Sequence, residues 1–335
     1  MKLNSFEYNA ITYFLIRASF VGLCINNLLE TAKQDCWISI VLGIIIGILP
    51  FFMYQKININ NKYVLYPITV FTFFYCSLIL WNLINFVKAY YLYNTPSFVI
   101  GGAFIIAILF LISKGIKIIG RVSTILIWFS LFLLIINITG LWTDGHIDNI
   151  RPILEGGINP VLTATFNYTC YSILPLFFLN NIESDKKNSL KFYILGNLTL
   201  LAIMLIFLTN YGIKLSLLFD SSEFHVLKRI SFAPFLERLE HFIFIEWIFD
   251  IFIFLVMGIY FICNNIKKDS TKPSILVSII ILFLSLNLFE NNIIVTMLNK
   301  YIPIMLFTFF FVIPLFHYLC CYKNDKNNHN CCSNK

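Results

Sequence analysis

Charged side chains are scarce in this sequence. Lys, Arg, Asp and Glu make up 12% of its 335 residues, about half the share of a soluble globular domain. With 59% hydrophobic residues and a mean hydropathy of +0.81, that scarcity excludes a water-soluble globule, which has no means of hiding so much apolar surface. Nucleotide signatures are missing: there is neither a P-loop nor a G-x-G-x-x-G after a strand, so a direct energy source is not expected. Histidine is sparse and dispersed. His146, His225, His241, His317 and His329 fall on both sides of the expected membrane, and His241 does not face its neighbour Glu240 on a helix. Acyl or glycosyl transfer in a membrane needs His, Asp or Glu gathered at one face. The chain is therefore expected not to be an enzyme and to hold no cofactor. The nine cysteines have no CxxC spacing. Cys24, Cys36, Cys76, Cys170 and Cys263 lie in or beside apolar runs as small hydrophobes. Cys320, Cys321, Cys331 and Cys332, near His317 and His329, read as part of a solvated tail rather than a metal site.

What is abundant is long apolar stretches. Phenylalanine alone occurs 36 times. Crossing about 30 Å of hydrocarbon takes about 20 helical residues, and ten such runs are expected, at 9–29, 36–54, 63–87, 96–113, 122–141, 161–180, 192–213, 241–264, 273–289 and 301–322. They are continuous rather than alternating, which excludes barrel strands. The fourth and ninth are short. With the N-terminus in the cytoplasm, 15 of the 24 Lys and Arg fall inside and 8 outside, Arg17 lying within the first span. Both termini are thus expected in the cytoplasm, and the net charge of +7 reads as topology rather than nucleic-acid binding. The first apolar segment is too long for a cleaved signal and is expected to be the first span.

Ten spans divide five and five. The expected architecture is an all-α membrane domain over 1–322, with repeat one at 1–141 and repeat two at 152–322, followed by a disordered cytoplasmic tail at 323–335. In transporters built from inverted repeats, the first helix of each repeat is broken at the bilayer midplane. The first span carries Arg17, Ser19, Gly22, Asn26 and Asn27, and the sixth carries Thr165, Asn167, Tyr168, Thr169, Tyr171, Ser172 and Pro175. These are the two most polar spans, at corresponding places. Broken helices expose amides that favour an anionic group. The bland alternative is that Ser, Thr and Asn bond neighbouring helices together.

The eighth run, HFIFIEWIFDIFIFLV at 241–256, keeps Glu246 and Asp250 one helical turn apart on one face. Facing lipid they would cost several kcal/mol, so they are expected to face the bundle interior, a polar cavity or Arg17. One reading makes them a proton or cation site, or an anchor for a substrate ammonium. The other makes them an ion pair with Arg17, or places them near water at a helix end. Arg17 itself reads either as a structural clamp or as a contact for a substrate carboxylate.

Five short motifs carry a resemblance: AKQDCWIS (32–39), YNTPSFVIGG (93–102), GIKIIGR (115–121), IDNIRPILEGGINPV (147–161) and FAPFLERLEHFIFIEW (232–247). In this order they resemble the B subunits of spore germinant receptors, the endospore germination permeases of the amino acid–polyamine–organocation superfamily. The resemblance covers the chain to about residue 322. It implies a LeuT-like fold with broken first and sixth helices. It also implies an amino acid or similar small molecule as germinant, A and C subunits as partners, and the spore inner membrane as location. The expected ligand-binding residues are Arg17, Ser19, Gly22, Asn26, Thr165, Asn167, Tyr168, Tyr171 and Ser172, with Glu246 and Asp250 as an ion or proton site. A proton- or sodium-coupled amino-acid transporter is the alternative. Two departures fall in the implied site. Family members commonly have a Gly-rich break ending in Pro, where this chain has Gly22, Asn26 and Asn27. Many carry a Gly-Glu pair where this chain has Tyr171 and Ser172. Arg17 suggests a ligand with an extra anionic group. The loops at 142–160 and 214–240 are expected to act as lids, as partner-docking surfaces, or to lie on the membrane surface.

Overall fold

Helices dominate because lipid offers backbone amides and carbonyls no partners, so each span must satisfy its own. The computed structural model describes residues 2–57, 59, 61–141, 146–180, 182–216, 240–267, 273–289 and 300–320. Its helices are α1 (Ser5–Ala18), α2 (Ile25–Ala32), α3 (Cys36–Lys56), α4 (Lys62–Tyr90), α5 (Ser97–Ser113), α6 (Ile116–Leu141), α7 (Ile158–Tyr168), α8 (Ser189–Ser216), α9 (Glu240–Ile266), α10 (Ser274–Asn287) and α11 (Lys300–Cys320). Seven helical stretches are long and apolar enough to cross a membrane, and α5 and α10 are shorter apolar helices. Among the described residues there is no strand, only an isolated bridge between Leu3 and Ser184. The chain is an all-α integral membrane protein. The tail at 323–335, His225, residues 142–145 of the 142–160 loop, most of the 214–240 loop and the FAPFLERL part of the fifth motif lie outside the described residues.

The first span starts four residues earlier than its apolar run, because Asn4 caps α1 reciprocally with Glu7. It then changes pitch. A π-helical turn, Phe20–Cys24, separates α1 from α2. The sixth span changes pitch too, through a π-turn at Thr169–Ile173 and a 3₁₀ segment at Leu174–Leu179. The expected breaks are therefore widened and tightened helix rather than unwound chain. Pro175 lies at the start of the 3₁₀ segment, and without an amide proton it cannot continue the α ladder. The first span has no proline and keeps helical bonding, shifted by one residue.

Helix α1 lies at the centre, packed on α6, α8 and α9, while α2 and α3 pack on α7 and the two π-turns touch each other. Close approach of α3 depends on Gly43 and Gly47, a G-x-x-x-G pair. A methyl group at Gly43 would collide with the Tyr168 ring, and one at Gly47 with Ile173 and the Tyr193 hydroxyl.

Each end of the bundle is tied by a polar clasp. On the N-terminal side, the Leu3 amide donates to the Glu183 carbonyl at 3.0 Å. Ser5 Oγ and Asn9 Nδ2 donate to the Lys187 carbonyl at 2.6 and 3.0 Å. Lys186 Nζ reaches the Gln55 carbonyl at 2.5 Å, and its partial burial lowers its pKa. In the GIKIIGR motif, Gly115 turns the chain with φ 83°, and Gly120 packs so tightly that a Cβ would lie 2.8 Å from that of Glu7.

At the other end two further motifs meet. Buried Asp35 accepts from the Leu154 amide at 2.9 Å, and Gln34 Nε2 donates to the Pro152 carbonyl at 3.0 Å and to Glu155 at 3.2 Å. A hydrogen bond to a charged group contributes about 1.5–3 kcal/mol. Asp35→Ala is accordingly expected to speed amide exchange around residues 152–157 by on the order of tenfold or more. Asp35→Asn, which keeps an acceptor oxygen, should show a smaller change. Hydrogen-exchange mass spectrometry reads both, and unaltered exchange in the alanine variant would mean that the clasp does not hold this loop.

Candidate functional site

The last turn of α1 delivers Arg17 into the bundle, where its side chain is only 3% exposed. Arg17 Nη2 is paired with Glu246 Oε1, and Nε with Asp250 Oδ2 at 3.2 Å. Tyr13 and Arg17, four apart on α1, face Glu246 and Asp250, four apart on α9, so helical spacing presents matched pairs on two facing surfaces. Arg17 Nη1 donates to the Tyr13 hydroxyl and lies 3.5 Å from Thr199 Oγ1. Tyr13 and Ser130 hydroxyls are 3.2 Å apart, and Ser130 Oγ donates to Glu246 Oε1 at 2.9 Å. Each hydroxyl has one proton. Since Ser130 gives its proton to Glu246, Tyr13 gives its own to Ser130, and the ring Arg17–Tyr13–Ser130–Glu246 closes in one direction. Thr199 donates to the Gly196 carbonyl at 2.7 Å and so receives from Arg17. Among the described residues, Asp250 Oδ1 is buried with no hydrogen-bond partner.

The ion pair between Arg17 and both carboxylates is thus present, and it ties α1, α6, α8 and α9 together. The remaining expected site residues gather around the two π-turns. Ser19 accepts from the Tyr75 hydroxyl at 2.7 Å. Gly22 sits inside the first π-turn and Asn26 is the second residue of α2. Asn167 Nδ2 donates to Asn27 Oδ1 at 2.5 Å, joining α7 to α2. Tyr168 donates to Asn197 Oδ1 at 2.5 Å and meets Phe20 edge-on. Thr165 spends its proton on the Val161 carbonyl one turn back. Tyr171 and Ser172 are buried within the second π-turn, where the Ser172 hydroxyl lies beside that of Tyr168.

Several contributing residues escaped the sequence reading. Tyr13 could have been found from its spacing to Arg17. Gly43 and Gly47 could have been found as a G-x-x-x-G pair. Ser130, Thr199, Tyr75 and Asn197 carry no local signal, since a lone hydroxyl or amide in an apolar helix is common. Among the described residues, no group of three His, Cys, Asp or Glu is placed to hold a metal ion.

The chain is similar to known spore germination proteins over most of its length. The sequence profile of a family described as "Spore germination protein" matches residues 8–294. Three proteins of Bacillus subtilis (strain 168) are similar to the chain. Spore germination protein KB is 23% identical over 239 residues, which is 63% of this chain and 64% of that protein. The chain thus spans just under two thirds of that relative's length. Spore germination protein YfkT is 24% identical over 266 residues, 73% of this chain and 74% of that protein. Spore germination protein A2 is 24% identical over 322 residues, 85% and 87% of the two. With a profile match over most of its length and the motifs in place, the chain belongs to the spore germination protein family.

Proposed function

We propose that this chain is a germinant-sensing membrane subunit of a spore germination receptor, binding an amino acid or similar small molecule between the interrupted first and sixth spans. The observation that carries this reading is the juxtaposition of the two π-turns, Phe20–Cys24 and Thr169–Ile173, deep in the bundle. Single π-turns inside helices recur at functional sites, and in transporters built from inverted repeats the corresponding first helices line the ligand site at the membrane's midplane. Ser172 Oγ, buried beside the Tyr168 hydroxyl, adds a donor and acceptor next to them. Ser19, Gly22, Asn26, Thr165, Asn167, Tyr168 and Tyr171 complete the proposed site, and Arg17 anchors its floor. Within a LeuT-like arrangement of two inverted five-helix repeats, ligand closure would move α1 against α6, α8 and α9. Germinant receptor A and C subunits would receive that change, in the spore inner membrane, with both termini of this chain in the cytoplasm.

A second reading is favoured by one observation. Asp250 Oδ1, without a hydrogen-bond partner among the described residues, suits a proton- or sodium-coupled amino-acid transporter in which Glu246 and Asp250 carry the ion. Reconstitution in liposomes with a panel of labelled amino acids separates the two. Saturable binding without accumulation, weakened by on the order of tenfold in Ser172→Ala and Asn167→Ala, is the expected result. Accumulation driven by a pH or sodium gradient and abolished in Glu246→Gln would replace the sensor with the transporter.

A further inference from the structure

Four exposed cations converge on one corner of the bundle, where α5 hands over to α6. Lys114 follows the last residue of α5, and Lys117 and Arg121 stand one helical turn apart at the start of α6. Lys2 joins them because its neighbour Leu3 packs on Gly120, where a Cβ would lie 3.0 Å from Leu3 Cδ2. The Lys114 ammonium lies over the Phe110 ring, 5.3 Å from its centroid, so its stem runs back along α5 and its charge stays at the membrane boundary. Glu7 offsets this charge only in part. Its Oε1 is 3.8 Å from Arg121 Nε, while its Oε2 caps the Asn4 amide at 2.9 Å. On the link beside Leu3, Glu183 and Asp185 are matched by Lys186 and Lys187. The corner therefore holds four cations against one carboxylate, and the positive end of the α6 dipole adds to them.

Beyond Arg121 the same face of α6 turns apolar. Ile125, Trp128 and Phe132 continue the stripe at helical spacing and are 60%, 63% and 61% exposed. The opposite face is fixed inward, since Ser123 and Ser130 are buried and Ser130 bonds Glu246. We propose that this corner is a binding site for an anionic phospholipid. The headgroup phosphate sits among Lys2, Lys114, Lys117 and Arg121, and an acyl chain lies along Ile125, Trp128 and Phe132. Continuity of the cations with the apolar stripe is what favours a lipid over a soluble anion, which has no use for the stripe. Basic residues at the end of a span also set its orientation. Orientation depends on their number, however, and not on their meeting at one point from three segments of the chain. Basic pockets between membrane helices are a recurrent way of holding anionic headgroups.

The test uses the purified full chain in a neutral detergent, with phosphatidylglycerol, phosphatidylcholine or inorganic phosphate added. Native mass spectrometry reads lipid retention and thermal unfolding reads stabilisation. Each Lys or Arg near an anionic headgroup contributes about a fivefold factor in affinity. Phosphatidylglycerol should therefore bind on the order of a hundredfold more tightly than phosphatidylcholine. The double variant Lys114→Gln, Lys117→Gln, which leaves the Arg121–Glu7 contact alone, should lose on the order of tenfold or more of that preference. About 1 M salt should erode the wild-type preference in the same direction, without any variant. The control is Lys56→Gln, Lys62→Gln, which removes two exposed cations elsewhere and should keep the preference. Equal retention of the two lipids by the wild-type protein would overturn the site. An equal loss in both double variants would replace it with a diffuse surface charge. Stabilisation by inorganic phosphate matching that by phosphatidylglycerol would make it a site for soluble anions and overturn the lipid.

Discussion

Replacing Arg17 by alanine is expected to destabilise the protein by about 3–5 kcal/mol, the cost of breaking a buried ion pair from one side. The reason is what remains. Glu246 and Asp250 are both buried, and without the guanidinium they would face each other as two unpaired carboxylates in low dielectric. Tyr13 would lose the donor that orients its hydroxyl toward Ser130, so the ring joining α1, α6 and α9 would open as well. The loss should be recoverable. Adding Glu246→Gln and Asp250→Asn removes the stranded charges, and the triple variant should regain most of the stability, because a neutral buried cluster avoids the penalty of an unpaired ion. Thermal unfolding of the three proteins in one detergent provides the comparison. A single Arg17→Ala variant that melts with the wild type would show that the cluster is solvated and that its burial is not what holds α1 in place. Glu246→Gln alone should be mild, since it leaves Arg17 paired with Asp250.

The second large effect is expected at Gly43. Its missing side chain is where the Tyr168 ring lies, and Tyr168 is held by its bond to Asn197 Oδ1 at 2.5 Å and by Phe20 edge-on. The ring cannot swing away without giving up both. Gly43→Val should therefore cost about 1–3 kcal/mol or more from overpacking, and should also push the second π-turn away from the first. Gly47 faces the far end of Ile173 as well as the Tyr193 hydroxyl. The isoleucine end can turn aside, so Gly47→Ala should be the milder change. Trimming Tyr168 to leucine in the Gly43→Val background should restore part of the stability by making room. Melting temperatures in detergent test the order Gly43→Val, then Gly47→Ala, then wild type. If Gly43→Val melts like the wild type, α3 and the sixth span are not in close contact.

Much of the fold was legible because lipid leaves the backbone few options. The expected runs at 36–54, 63–87 and 96–113 coincide with α3, α4 and α5 to within a few residues. The polar interruptions in the first and sixth spans were legible too, from Ser19 to Asn27 and from Thr165 to Pro175. Their form was not, because the choice between an unwound segment and a π-turn depends on how neighbours pack against it. Gly43 and Gly47 supply that packing from another helix.

The chain's own order of residues determined that it lives in lipid, that Glu246 and Asp250 share a helix face, and that this face turns inward. Each of these follows from composition, from the 3.6-residue period and from the cost of charge in hydrocarbon. Only the tertiary structure decided which groups answer those carboxylates. Arg17 lies 229 and 233 residues away from them along the chain, and Ser130 reaches Glu246 from a third helix. No local pattern encodes such meetings, because period and propensity act within one element. Which faces of α1, α6 and α9 oppose one another is set by packing between elements, and so is the unpartnered carboxyl oxygen of Asp250 left where they meet.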